Sequence, residues 1–574
     1  MVNAILSWML AGFCGAAPDA TAMVEIADTR LTVRTSSVEA VFEGPALVGL
    51  RPAGQEVEFA AGSCPVTGVD LVYLDGTLVG TDKHQQVTVR RLSERAARID
   101  VVGDDTRRSL LVIADPQTGD VRVTPDGLSA RRGLRAVRWT AALHPEATGV
   151  LPCVNGLIVR SSAEPPIRHR FRWPFEWNAQ LAIVERDGWS VMVHAEDRDE
   201  RFKNLQVDAG DGQWMLGFES EPPGPLWDNR TAGGLEWRIS AYRGSWREPA
   251  SRYRRWLEAA CGLAGRAGHR PAWTQRISLA VCWAGSDVHM LDALASVHPP
   301  QETLIHLSGW RTDPYDINYP QYRPSANALE YMRKAAETGF HVMPHFNYFA
   351  VDMKHPIMRE VGDYQLRSLD RNSPEGWYWP PETFDYTRMA YIHPGLGLWR
   401  SRLIDAVLEA CDALGTDVAF LDQTLCTWNT DNGLVQGLTT IGGLRQLQEE
   451  FAAVRPGLVL AGEGLNEVSF RRQAFAQAHI YSGWGRLDAG HVERACDLNA
   501  FLWSGYTRLI GYYHLTPGGE DFELGIQVYE RMGALPTIVT GKPEDLLDPS
   551  PPVRRILDRA RAVSRAGTTV PAGG

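Results

Sequence analysis

Lysine is scarce in the second half of this 574-residue chain: past residue 270 only Lys334, Lys354 and Lys542 occur. Chemistry that depends on a lysine base or Schiff base, as in many barrel lyases and epimerases, is therefore disfavoured. There is no surplus of basic charge, since the net charge is −11. A phosphate-binding surface is normally basic, so nucleic acid is not an expected partner. The eight cysteines are scattered and contain no Cys-x-x-Cys pair, which excludes a zinc ribbon or a disulfide scaffold. No glycine-rich dinucleotide fingerprint opens a helix, and no P-loop occurs. No apolar run is long enough to span a bilayer, so no membrane association is expected.

The amino terminus lacks a basic flank as well. An apolar stretch runs from Ile5 to Ala17 and Ala20-Thr21-Ala22 resembles a cleavage site, yet no Lys or Arg precedes Arg30. Residues 1–22 read as a spurious or disordered leader before Met23 in a cytoplasmic protein. The alternative is a signal peptide and a secreted protein.

What is abundant is tryptophan, with 19 residues. Tryptophan offers flat apolar faces and one donor, suited both to core packing and to stacking on sugar rings. From Met23 to Trp246 the pattern is β, with alternating stretches such as Arg30-Leu31-Thr32-Val33-Arg34 and turn signals such as Arg186-Asp187-Gly188. This predicts an antiparallel β-sandwich over 23–246. Helical spacing of Tyr253, Trp256, Leu257 and Ala260 predicts a linking helix within 247–270.

From Arg276 strands and helices alternate, which predicts a (β/α)8 TIM barrel over 271–545. The expected strands are Ile277–Trp283, Thr303–Leu307, His341–Phe346, Met389–His393, Val418–Asp422, Leu458–Glu463, Ala478–Tyr481 and Leu509–Tyr513. Residues 546–574 read as a final helix and a Thr/Pro/Gly tail. The segment Tyr348 to Arg388 interrupts the third unit and carries Trp377, Tyr378, Trp379, Pro380 and Pro381. A loop of that length reads as a lid that packs on the barrel rim or stacks on a sugar.

Two buried-looking strands each end in one carboxylate, Asp422 and Glu463. The interval between them holds one loop, one helix and a return, so a right-handed crossover places both at the carboxyl edge of a parallel sheet. An ionisable group there is costly to bury without a task. Two facing carboxylates are the minimum equipment for glycoside hydrolysis, and Glu467 competes with Glu463 for the acid role. Around them the barrel's active face is expected to gather Trp310, His345, Asn347, His393, Gln423, Trp484, Asp488 and His514 as substrate-binding groups. His306 lies inside a strand and reads as a core histidine. The histidines lack the tight spacing of a ligand cluster, so neither a metal nor a cofactor is expected.

Several stretches resemble a known group. Tyr242-Arg243-Gly244-Ser245-Trp246-Arg247-Glu248-Pro249-Ala250, followed by Tyr253-Arg254-Arg255-Trp256, is similar to the sandwich-to-barrel junction of large α-glycosidase-like enzymes. Phe175-Glu176-Trp177-Asn178-Ala179-Gln180 resembles their sandwich core, and Leu307-Ser308-Gly309-Trp310, Phe420-Leu421-Asp422 and Ala461-Gly462-Glu463 complete the pattern. The chain resembles an uncharacterised glycoside-hydrolase-like domain family, similar in layout to the endo- and exo-α-N-acetylgalactosaminidases. The resemblance implies a retaining glycoside hydrolase with Asp422 as nucleophile and Glu463 as acid/base, acting on an oligosaccharide or glycoside. Such enzymes often carry further β domains after the barrel, and no segment here reads as one. The rival expectation is a non-catalytic carbohydrate-binding protein on the same barrel.

Overall fold

The computed structural model describes residues 22–62, 64, 67–80, 85–263, 270–378 and 388–568. Among the described residues every element before Arg247 is a β-strand. These strands form antiparallel sheets of four, ten and six strands. The alternation read from the sequence has a direct counterpart: Arg30–Arg34 buries Leu31 and Val33 and turns its arginines outward. Trp237 of the ten-stranded sheet meets Phe218 of the six-stranded one with ring centroids 5.2 Å apart, and Trp177 stacks on Trp237 at 6.1 Å. Most of the tryptophan surplus near this layer is spent on packing.

The helix Arg247–Ala260 follows and buries Pro249, Ala250, Tyr253 and Leu257. Its other side grips the barrel, where Arg254 donates to the carbonyls of Phe501 and Ser504. The expected turn-rich boundary after it falls partly outside the described residues, as do Trp379, Pro380, Pro381, nearly all of the leader and the Thr/Pro/Gly tail.

An eight-stranded parallel sheet forms the barrel. Its strands, in chain order, are Leu279–Gly285, Thr303–Gly309, His341–Asn347, Val418–Asp422, Val459–Glu463, Gln473–Gln477, Arg508–Ile510 and Thr537–Val539. The seventh and eighth strands are not paired in register. Leu535 N–H donating to Leu509 O at 2.8 Å and Gly511 N–H donating to Thr537 Oγ1 at 2.9 Å close the gap. Ala280, Cys282, Leu304, Met343, Phe420 and Phe475 belong to one apolar cluster contributed by these strands.

Three assignments from the sequence are corrected. Arg388–Tyr391 is not a barrel strand; it lies between Ala350–Asp352 and Gly376–Tyr378 in a small antiparallel sheet. The eighth strand is instead Thr537–Val539, too short to show as an apolar run. The sixth strand is Gln473–Gln477 rather than Ala478–Tyr481. Its two glutamines hid it, because their amide nitrogens find partners only across the barrel: Gln473 Nε2 donates to Thr424 Oγ1 at 2.8 Å, and Gln477 Nε2 approaches His306 Nδ1 at 3.4 Å. Between the sixth and seventh strands lie two short helices, Ala489–Arg494 and Leu498–Trp503.

Gly462 marks how tightly the fourth to sixth strands meet. A Cβ there would lie 2.1 Å from Gln473 Nε2 and 2.3 Å from Thr424 Oγ1, so only glycine fits directly before Glu463.

Candidate active site

Strand register sets the site. Asn347 is paired with Asp422, Leu421 with Gly462, and Glu463 with Gln477, so Asn347, Asp422 and Glu463 stand side by side at the carboxyl edges of the third, fourth and fifth strands. Asp422 is 5% exposed and Glu463 is 7% exposed. The two carboxyl groups touch. Burial first, then the Glu463 and Asp316 charges, push the Asp422 carboxyl well above the usual carboxylate range, and its hydrogen bond to Glu463 adds to this. Burial beside Glu463 therefore favours the protonated form of Asp422. Asn347 Nδ2 donates to Asp422 Oδ2 at 3.2 Å and to Gln423 Oε1 at 3.1 Å. Glu463 accepts from Gln423 N–H at 3.0 Å and faces His479 Nε2 at 3.0 Å.

Below the carboxylates lies a pair of histidines whose tautomers follow from their partners. Trp283 N–H donates to His306 Nδ1 at 3.3 Å, so the His306 proton is on Nε2. That nitrogen is 3.0 Å from His345 Nδ1, which must accept. The remaining His345 N–H, on Nε2, points at Asp422 Oδ2 from 3.8 Å and makes no hydrogen bond. Burial keeps both rings neutral, pulling His306 down to about 3 and His345 well below its ordinary value. The outcome is one buried donor aimed at the carboxylate pair.

Aromatic rings wall this space. Trp283 stacks on Tyr512 at 5.8 Å and lies 5.5 Å from His345 and 5.8 Å from Tyr315. Trp484, 73% exposed, stands edge-on to Tyr513 at 4.3 Å. Trp283, Asp316 and Gln423 all adopt left-handed backbone, with φ of 58°, 58° and 63°. Non-glycine residues held there cost about 1–3 kcal/mol each and concentrate at functional sites.

The structure brings together Asp422, Glu463, His345, Asn347 and Gln423, with Trp484 at the rim. It places four other expected residues elsewhere. Trp310 is fully buried and its indole N–H donates to His345 O at 3.0 Å, so it braces the third strand. His393 is buried beside the small antiparallel sheet, where Nδ1 accepts from Gly395 N–H at 3.0 Å. Asp488 caps the short helix Ala489–Arg494 in a capping box with His491. His514 ties loops together through Gly483 O at 3.1 Å and Asp521 at 3.7 Å. All four share a cause: a polar or aromatic residue just past a strand end serves equally well as a cap or brace, and spacing does not distinguish these. Conversely, His479 and Tyr512 escaped notice because their strands were placed too far along the chain, and His306 because its partner was not visible.

Glu467 points away from the site. It accepts from Trp173 Nε1 at 2.8 Å and from the Tyr253 hydroxyl, which locks the junction helix and the β-sheets to the barrel. Burial raises its carboxyl to about 7, against the pull of these donors and of Lys203. A carboxyl held at about 7 when folded and 4.5 when unfolded stabilises the protein below about pH 4.5, and that contribution fades as pH rises through 7. Glu467→Gln keeps an acceptor and cannot ionise. Thermal unfolding of wild type and variant should therefore diverge with rising pH, in favour of the variant by about 3 kcal/mol above pH 7. Parallel stability curves from pH 5 to 8 would refute this.

Among the described residues no group of three or more His, Cys, Asp or Glu side chains is placed to hold a metal ion. No helix there is long and apolar enough to cross a membrane. With this geometry in view, comparison with solved structures is informative. Alpha-N-acetylgalactosaminidase NagBb from Bifidobacterium bifidum, in its GalNAc complex, superposes with a TM-score of 0.68 over 93% of each chain, at 13% identity. Its ligand-free form gives 0.70 over the same 93% of each chain at 14% identity. The fold is shared with a glycosidase. A GH36 alpha-galactosidase, AgaB from Geobacillus stearothermophilus, is more distant, at a TM-score of 0.47 and 10% identity over 96% of this chain and 87% of that one. By sequence, residues 235–432 match a family described as a domain of unknown function, DUF6259. No curated protein matches.

Proposed function

We propose that the protein is a retaining glycoside hydrolase acting on an oligosaccharide or glycoside, built as a β-sandwich followed by a TIM barrel. The observation that carries this reading is the contact between two buried carboxyls, Asp422 and Glu463, at the edges of adjacent barrel strands beneath an aromatic wall. Carboxyl groups this close lie nearer the spacing of retaining enzymes, about 5–5.5 Å, than that of inverting ones, about 6.5–9.5 Å. Asp422 attacks the anomeric carbon and forms a glycosyl ester, while Glu463 protonates the departing oxygen. Glu463 then takes a proton from water as that water displaces Asp422. These roles require a proton on Glu463 once the sugar is seated, and the contact between the carboxyls provides the transfer path.

One observation favours the roles reversed. Burial and neighbouring charge raise the Asp422 carboxyl well above the usual range, and more donors face Glu463 than Asp422. Read so, Asp422 is the acid and Glu463 the nucleophile. A panel of α- and β-nitrophenyl glycosides tests the common claim, and absence of turnover on every member would leave the carbohydrate-binding alternative. Product stereochemistry with azide separates the two role assignments.

The histidine pair supports the carboxylates from below. The His345 N–H is buried and aimed at Asp422. In His306→Phe the aromatic packing on Phe420 is kept, but His345 Nδ1 loses its donor and the proton is no longer held on Nε2. The expected result is a kcat/KM lowered about tenfold, the worth of one hydrogen bond beside the reacting carboxyl, at similar thermal stability. Unchanged kcat/KM would remove the pair from the mechanism.

A further inference from the structure

A cleft opens beside the loop that follows Asp422. It has a volume of about 380 Å³ and lies between the β-sheets and the barrel, lined on one side by Arg172 and His169 and on the other by Arg371, Glu375 and Trp428. Its link to the site is the loop that leaves the fourth strand. Cys426, four residues after Asp422 on this loop, lies within reach of the charges of Glu463 and Asp422 and also of those of Arg172 and Glu176. Next to Arg172, Phe171 approaches Tyr481 at 6.3 Å, two residues past the His479 that faces Glu463.

The chemistry of the cleft is polar and balanced. Its four arginines are matched by four carboxylates. Arg170 and Arg135 face Glu221 at 2.8 and 3.4 Å, Arg172 faces Glu176 at 3.2 Å, and Arg371 faces Asp370 at 3.7 Å. Trp428 donates to Glu375 at 2.9 Å, and the Arg172 guanidinium lies 5.3 Å from its ring. Paired guanidinium and carboxylate groups beside an aromatic face suit vicinal hydroxyls and the apolar face of a sugar. The absence of excess charge disfavours an anionic ligand. The volume sits near the lower end of small-molecule sites, about 300–1,000 Å³, room for a sugar unit.

We propose that this cleft binds the leaving-group side of the substrate, and that this side is a neutral glycan. The inference rests on the glycosidase reading, but it can fail or stand separately. Arg371, whose side chain is 79% exposed, is the safest position to change; Trp428→Ala is the second variant. The first measurement is the ratio of kcat/KM for an oligosaccharide to kcat/KM for a nitrophenyl glycoside of the same terminal sugar. Arg371→Ala and Trp428→Ala should each lower that ratio at least about fivefold, as expected for a lost contact made only by the longer substrate. A ratio unchanged within about twofold in both variants would overturn the proposal.

The second measurement needs no turnover. Asp422→Asn protein, alone and combined with each cleft substitution, is applied to an array of neutral, sialylated and sulfated oligosaccharides. Capture of neutral glycans that the cleft substitutions abolish is the expected result. Capture confined to sialylated or sulfated glycans, capture indifferent to the cleft substitutions, or no capture at all would overturn it. If wild type hydrolyses no glycoside yet neutral glycans are captured through the cleft, the hydrolase reading fails and the cleft assignment stands.

Discussion

Asp422→Ala should fold normally and lose about 10⁴-fold or more in turnover. The fold should tolerate the change because the carboxyl contributes little to it. Its burial is uncompensated by any cation in contact, and Asn347, on losing Asp422, keeps Gln423 Oε1 at 3.1 Å. Added azide can enter the vacated space. If Asp422 is the nucleophile, azide restores part of the activity and yields a glycosyl azide of inverted configuration. A product of retained configuration from this variant would assign Asp422 the acid role, and near-wild-type turnover would remove it from the mechanism.

For Glu463→Ala the size of the loss should depend on the leaving group. Nitrophenol departs without protonation, so activated aryl glycosides should be much less impaired than alkyl glycosides or oligosaccharides, by about 10²-fold or more. The variant also removes the acceptor for Gln423 N–H and the partner of His479. Circular dichroism and thermal unfolding must therefore accompany the kinetics. Equal losses on both substrate types in a folded variant would point to another acid. Glu467 would not be that acid, since it is committed to Trp173 and Tyr253.

The elements that were legible in the sequence were those whose burial is one-sided or complete. Val418–Asp422 and Val459–Glu463 are buried at every position, and their apolar runs end in the carboxylates. The helix Ala326–Thr338 carries both a Ser325 cap and a left-handed Gly339, so both of its ends were readable. The elements that were misread depend on distant partners. Gln473–Gln477 is polar at both ends and becomes a core strand only because Thr424 and His306 meet it. Arg388–Tyr391 looks like a barrel strand until its antiparallel neighbours are known.

Local pattern by itself determined that strands precede a strand–helix alternation, and that two carboxylates end neighbouring strands of a parallel sheet. Period and burial are properties of a short stretch, and a right-handed crossover leaves one place for both side chains. Tertiary structure alone decided which polar residues near those strand ends face the carboxylates. His345, Asn347 and Gln423 do so; Trp310, His393, Asp488 and His514 brace loops and strands instead. It also raised the Asp422 carboxyl and set the donor direction of His345. A pKa and a tautomer are set by burial and by the partner on the next strand, and neither is encoded within one segment of chain.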